Sequence, residues 1–227
     1  MIIIGHQKTK NHINKIIYSL FLLIILSACT TTNYKNNLDD SITIEHLPSN
    51  DLVESARAQI GVVTKYDTSY YQGGYPPQGQ GACTDVIEQA LRNNSYDLKR
   101  LIDQDMTNNP DSYPQDSDPN INFRRVRNVK IFLDRHAIKL TTCVSKDCFQ
   151  NKEWQAGDIV TFDQIPGSLW HIAIISNKVK INNSVPIPYL IHNYGNGVVE
   201  DNRLLNWPAP INGHYRITEI STNNINQ

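Results

Sequence analysis

Cys83 stands in Gly81-Ala82-Cys83-Thr84-Asp85-Val86-Ile87, where a glycine-bearing loop gives way to an amphipathic helix. A thiol at a helix N-terminus faces unpaired N–H groups and the positive end of the helix dipole. Both favour the thiolate, the form that attacks a carbonyl carbon. The small neighbours Gly81 and Ala82 leave its approach open. A buried structural cysteine is the competing reading of the same position. Two histidines could complete a nucleophilic site. His171 opens the apolar, β-rich run His171-Ile172-Ala173-Ile174-Ile175-Ser176, and His192 holds a similar place in Tyr189-Leu190-Ile191-His192-Asn193. Two such strands side by side put both rings on one sheet face. One ring can then take the thiol proton while the other orients it through a ring nitrogen. Taken singly, each is equally a satisfied core histidine.

Other residue sets are weaker. Cys83, His171 and His192 as a zinc site lack a fourth ligand at motif spacing, so no metal and no cofactor is expected. Asp116, Asp118 and Asn120 resemble the start of a calcium loop, but Ile121 stands where glycine is needed and Arg127 where glutamate is needed. Arg124 and Arg125 could grip a peptide carboxylate bidentately or belong to a solvated charged face. His136 is expected at an exposed helix end, and His214 in the core or at a cleft rim.

The elements that must position these residues can be read from period and caps. A helix is expected over Asp51–Ile60, with Leu52, Val53, Ala56 and Ile60 as its apolar stripe and Gly61 as its stop. Tyr66 to Gly81, rich in Tyr, Gly, Pro and Gln, reads as a loop. A helix follows from Thr84 to Asn93. Asn108 to Asn122 reads as an irregular surface excursion, and Val126 to His136 as a second amphipathic helix. Strands are expected at Asp158–Phe162, His171–Ser176, Tyr189–Asn193 and His214–Ile217. Helices first and strands later make the class α+β, with helices packed on a small antiparallel sheet.

With these motifs in order, the chain resembles the papain-like NlpC-type superfamily of bacterial cell-wall cysteine peptidases and amidases. Tyr66 and Gly73-Gly74 precede Cys83, Trp154-Gln155-Ala156-Gly157-Asp158-Ile159-Val160 matches the family's Gly-Asp strand, His171-Ile172-Ala173-Ile174 its base strand, and His192 its third polar position. More narrowly, Cys83-Thr84-Asp85-Val86, Asp118-Pro119-Asn120-Ile121-Asn122 followed by Arg124-Arg125-Val126, Pro166-Gly167 ahead of His171, and His192-Asn193 with Gly195 resemble an uncharacterised branch of exported bacterial proteins. The likeness covers roughly residues 51–218. It implies a papain-like fold, Cys83 as nucleophile, His171 as general base and acid, and His192 as orienting group. It also implies an oxyanion hole from the Cys83 N–H and the Tyr66 hydroxyl. The implied activity is cleavage of amide bonds, with peptidoglycan stem peptides as substrate. Ala82 and Thr84 depart from the Asp and Ser that usually flank the family's cysteine, and the stretch Leu98–Asn122 is longer than a minimal family domain needs. An acyltransferase or esterase on the same triad and a non-catalytic cell-wall binding module are the alternatives.

The N-terminus points to export. Lys8, Lys10 and Lys15 precede an apolar run, Ile16–Leu26, that is too short for a spanning helix of about 20 residues but fits a signal h-region. Leu26-Ser27-Ala28-Cys29 is what a lipoprotein signal peptidase reads. The expected organisation is a signal peptide over 1–28, lipidated Cys29 with a flexible tether over 29–50, a hydrolase domain over 51–220 and a polar tail over 221–227. Thr30 rather than Asp follows the cysteine, which places the anchored protein in the periplasm, at the outer membrane. In that oxidising compartment Cys143 and Cys148, five apart, are expected to form a disulfide, which leaves Cys83 unpaired. A net charge of −1 over 227 residues gives no basic excess for nucleic acid. One folded domain, acting as a monomer, is expected.

Overall fold

The computed structural model describes residues 49–164 and 170–218. The expected signal peptide, Cys29, most of the expected tether, Pro166-Gly167 and residues 219–227 lie outside the described residues. Helix α1 (Ser49–Arg57) buries Leu52, Val53 and Ala56. It ends three residues earlier than expected because the chain tightens: the Gln59 and Ile60 N–H groups reach back to Ala56 and Arg57, three residues away, and leave Ile60 exposed. The Tyr-Gly-Pro loop is flanked by two short strands, β1 (Lys65–Tyr66) and β2 (Gln80–Gly81), paired in parallel.

Helix α2 (Cys83–Arg92) follows at once and packs on α1 through Val86, Ile87, Ala90 and Leu91. Ala82 has no side-chain acceptor to cap it. The Asp85 carboxylate instead accepts the Ala82 N–H at 2.6 Å, half of a capping box. Helix α3 (Leu98–Asn108) fills the start of the stretch taken as an insertion. It is capped by Asp97, which accepts the Arg100 N–H at 2.9 Å, and buries Leu98, Leu101, Ile102, Asp105 and Met106 on one face. Two short 3-10 turns, Pro110–Ser112 and Asn122–Arg124, bracket the irregular excursion that does follow it. Helix α4 spans Val126–His136 as expected, with Val126, Val129, Phe132 and Leu133 inward.

The remaining elements are β3 (Ile138–Lys139), the short helix α5 (Lys146–Gln150), β4 (Ile159–Phe162), β5 (His171–Asn182), β6 (Val185–Asn193), β7 (Val198–Asp201) and β8 (Ile211–Arg216). The strands form one antiparallel sheet in the order β3-β8-β4-β5-β6-β7, so the chain is α+β with an antiparallel sheet. β3 and β7 were not expected. β5 and β6 are longer than expected because they run on as a hairpin, exposed along β5 but with Val185 and Ile187 of β6 buried, turned at Asn183 and Ser184, both with positive φ. Pro186 and Pro188 sit in this outer part of β6, beyond its pairing with β7. Strand alternation sorts the core into two layers. Ile159, Ile172, Ile174, Ile191 and Tyr215 face the helices, while Val160, Phe162, Ala173, Ile175 and Leu190 pack on the far face with Phe149, Trp154 and Leu204.

Candidate active site

The backbone before Cys83 is held from three sides. Asn193 donates its amide to the Gly81 carbonyl at 2.7 Å. The Arg124 guanidinium, 8% exposed, donates to Asp85 through Nε at 3.0 Å and Nη2 at 3.0 Å, to the Asp67 carbonyl at 2.9 Å and to the Ser69 carbonyl at 2.6 Å. These contacts take four of its five N–H groups, so no bidentate fork is left for a substrate carboxylate. Arg124 therefore ties the loop to the first turn of α2. Arg125 and Arg127 both pair with Asp116 on the cleft wall, Arg125 at 3.3 Å and Arg127 at 2.7 Å.

Cys83 is the first residue of α2, and among the described residues it is the free cysteine. It is 3% exposed. Burial pushes its thiol up to about 11, with the Asp85 charge adding to the rise; hydrogen bonds from the Ile172, Thr84 and Cys83 N–H groups oppose both without overcoming them. The sequence argument for a helix-stabilised thiolate is thus corrected: the helix terminus is present, but desolvation outweighs it and the resting group is a thiol. Cys83 lines a cleft of about 660 Å³ with Tyr66, Arg125, Arg127 and Trp170. The Tyr66 hydroxyl shares this cleft with Cys83, and burial, followed by the Cys83 charge, raises the phenol above its ordinary range.

His171 and His192 lie on neighbouring strands, offset diagonally, and His171 Nε2 meets His192 Nδ1 at 2.8 Å. The chain of contacts continues from His192 Nε2 to Asp201 Oδ1 at 3.2 Å, and from Asp201 Oδ2 to Arg203 Nε at 3.2 Å. Trp207 stacks on the His171 ring, with centroids 4.0 Å apart and planes 12° from parallel, and meets His192 edge-on. Burial, then the His192 and Arg203 charges, holds His171 well below the usual imidazole range, so it is neutral at physiological pH.

The structure joins the two histidines to each other more closely than to the thiol. Ile172 shares the helix-facing layer with Cys83, whereas His171 alternates onto the face of Phe162 and Ala173. The sulfur rests against the Ile172 N–H, one peptide from His171. Among the described residues no hydrogen bond links it to either ring. Hydrogen bonds of this kind are often long in unliganded sites and tighten when substrate binds.

The other candidates have structural places. His214 is fully buried, with Nε2 on Asp158 at 2.9 Å and Nδ1 on the Thr141 carbonyl at 2.7 Å, stacked on Trp154. His136 is not exposed as expected; its Nε2 lies 3.0 Å from the buried Asp105. Asp118 caps a turn, accepting the Asn120 N–H at 2.8 Å. Cys143 and Cys148 form a disulfide with Cα atoms 6.1 Å apart, and Trp154 donates to the Cys143 carbonyl at 2.7 Å, pinning that loop. Among the described residues no group of three or more His, Cys, Asp or Glu side chains is placed to hold a metal ion, and no helix is long and apolar enough to cross a membrane. Sequence reasoning missed Asp201, Trp207 and Asn193. The β-branched pair Val198-Val199 ahead of Glu200-Asp201, behind the Gly195–Gly197 turn, was the available signal for a strand that could bring Asp201 beside His192.

A family model described as a domain of unknown function, DUF1287, matches residues 53–217. "Uncharacterized protein YijF" of Escherichia coli (strain K12) is 35% identical over 209 residues, covering 87% of this chain and 97% of that protein. No solved structure matches.

Proposed function

We propose that this chain, which belongs to the DUF1287 family, is a thiol hydrolase of papain-like fold that cleaves amide bonds. The observation that carries the reading is Cys83 at the start of α2, lining a cleft of about 660 Å³ together with Tyr66, while the aromatic-packed His171–His192 pair begins at the residue before Ile172, whose N–H favours the thiolate. A neutral thiol and a neutral imidazole make a general-base pair rather than a standing ion pair. His171 takes the Sγ proton as sulfur attacks the carbonyl carbon, and the oxyanion is held by the Cys83 N–H and the Tyr66 hydroxyl. The C–N bond breaks as the leaving amine takes that proton from His171, and water then hydrolyses the thioester. General-base action of this kind is worth about 10²- to 10⁴-fold, and one oxyanion donor about 10²- to 10³-fold.

Export, lipidation at Cys29 and residence in the periplasm at the outer membrane belong to the same reading, as does peptidoglycan stem peptide as substrate. They rest on the sequence ahead of the domain and on the resemblance to NlpC-type enzymes. The buried, protonated Cys83 favours a second reading, a binding module in which the thiol only packs. Incubation of the protein with purified sacculi and mass spectrometry of the released peptides tests the first. New amine and carboxyl ends support it, and acyl transfer to an added amine would make the enzyme a transferase. Intact sacculi together with a Cys83 thiol inert to iodoacetamide would leave the binding module.

A further inference from the structure

We infer that Asp201 is a positioning residue that sets the tautomer of both histidines and so delivers an unprotonated Nδ1 at His171. This deepens the hydrolase reading and rests on it for its catalytic consequence, though not for its chemistry. The pair has four ring nitrogens. Three are engaged with described residues: His171 Nε2 and His192 Nδ1 with each other at 2.8 Å, and His192 Nε2 with Asp201 at 3.2 Å. His171 Nδ1 is the fourth.

A neutral imidazole carries one hydrogen, and a carboxylate can only accept. In its neutral form His192 therefore holds its hydrogen on Nε2, toward Asp201, and its Nδ1 is a lone pair. That lone pair requires a donor, so His171 holds its own hydrogen on Nε2. His171 Nδ1 is then left as the basic nitrogen. The choice made at Asp201 passes through two rings without any proton leaving its site. Were His192 to turn its hydrogen to Nδ1, His171 would carry its hydrogen on Nδ1 and could not act there as a base.

The surroundings favour this arrangement. Arg203 pairs with the second oxygen of Asp201 at 3.2 Å. Burial tends to raise the Asp201 carboxyl, but the His192 hydrogen bond and the Arg203 charge outweigh it and hold the group below its ordinary value, ionised. With Arg203 sharing the carboxylate charge, Asp201 has less cause to draw a second proton onto His192. Trp207 covers the face of His171 and the edge of His192, which shields their mutual bond from water. Asp201 itself is 31% exposed and sits at the end of the edge strand β7. Nothing there demands a carboxylate for packing.

The test is ¹⁵N NMR of the full chain in detergent, labelled with [¹⁵N]histidine. His171 and His192 are assigned among the seven histidines by single His→Gln variants. The wild-type protein should show both rings protonated on Nε2. Asp201→Leu, which removes the acceptor, should give mixed tautomers at both rings and lower kcat by about 10- to 100-fold, the range seen when an outer partner of a functional histidine is lost. Asp201→Glu should restore the wild-type pattern. A hydrogen on His171 Nδ1 in the wild type overturns the proposal, as does an Asp201→Leu variant that keeps the wild-type tautomers. The wild-type spectrum alone decides if the leucine variant fails to fold. Because tautomers are read without substrate, an inactive protein with the predicted spectrum would refute the hydrolase reading and leave the relay standing.

Discussion

Two buried histidine–carboxylate networks share this sheet, and they differ in what is left over. At one site His214 Nε2 meets Asp158 and Nδ1 meets the Thr141 carbonyl, so both ring nitrogens are engaged. Asp158 is equally spent, accepting Arg216 through Nε at 2.7 Å and Nη2 at 2.9 Å and the Gln155 N–H at 2.8 Å. At the other site His171, His192 and Asp201 engage three of the four ring nitrogens with described residues, and Arg203 pairs with Asp201 as Arg216 does with Asp158. Each site has its stacked tryptophan, Trp154 on His214 and Trp207 on His171. Burial, a carboxylate partner and an aromatic lid therefore do not identify a reactive histidine. What separates the two sites is one ring nitrogen, His171 Nδ1, that has no partner among the described residues.

The strongest way to break this comparison is to remove the reacting groups. Cys83→Ala and His171→Ala should each lower kcat/KM on a peptidoglycan fragment by about 10³-fold or more, with the double variant no worse, since nucleophile and base act as a unit. His192→Ala should cost less, because the thiol and its base remain. Circular dichroism should report folded protein in all three. Near wild-type turnover in Cys83→Ala would end the hydrolase reading.

The His214 site should fail in the opposite currency. Asp158→Ala leaves His214 and Arg216 facing a buried gap, and breaking a buried pair in this way costs about 3–5 kcal/mol. Urea unfolding should show that loss, while kcat of the protein that remains folded should fall far less than in the Cys83 variant. Equal losses of activity in the two would erase the distinction between the sites.

A smaller effect is expected at the disulfide. Cys143–Cys148 closes a short loop just beyond Thr141, whose carbonyl holds His214, and Trp154 is pinned to the Cys143 carbonyl. A loop this small removes little unfolded-state entropy, so the double Cys→Ser variant should lose about 2 kcal/mol or less. Intact mass with and without reductant checks the bond, and urea midpoints check the cost. If the loss were absent, the loop would not be supporting His214.

What could be read in the sequence depended on whether a signal was local. Val126–His136 was legible to its ends because the period and the inward residues are all its own. Helix α3 was equally local, with Asp97 as cap and Leu98, Leu101, Ile102 and Met106 in period, and was passed over because the Asn- and Pro-rich stretch beyond it dominated the reading. Cys83, His171 and His192 were found because each opens or ends a recognisable element. Three properties could not be found that way. The thiol's protonation depends on burial under residues far along the chain. Arg124's role depends on Asp67, Ser69 and Asp85 arriving around it. Asp201's partner depends on the register of β7 against β6, where Leu190 pairs with Asp201 and His192 with Val199.

The finest distinction between the two sites lies in acid. Burial, His192 and Arg203 depress the His171 pKa well below 6.5 in the folded protein, whereas the unfolded chain titrates near 6.5. Below that pH the unfolded state binds a proton that the folded state refuses, so folding loses stability as pH falls. The loss begins at about 6.5 and is bounded at about 1.4 kcal/mol per pH unit. Above about 7 the term vanishes, since both states are then neutral. His171→Gln removes the group and should flatten this part of the curve. Urea unfolding at pH 7.5 and pH 5.5 should therefore show the wild type losing about 1 kcal/mol more than the variant between the two conditions. Carboxylates common to both proteins cancel in that difference. Parallel losses would mean that His171 takes up its proton in the folded state as readily as in the unfolded chain. Its pKa would then stay near 6.5 rather than be held below it, and the neutral base would be lost as pH falls through that value.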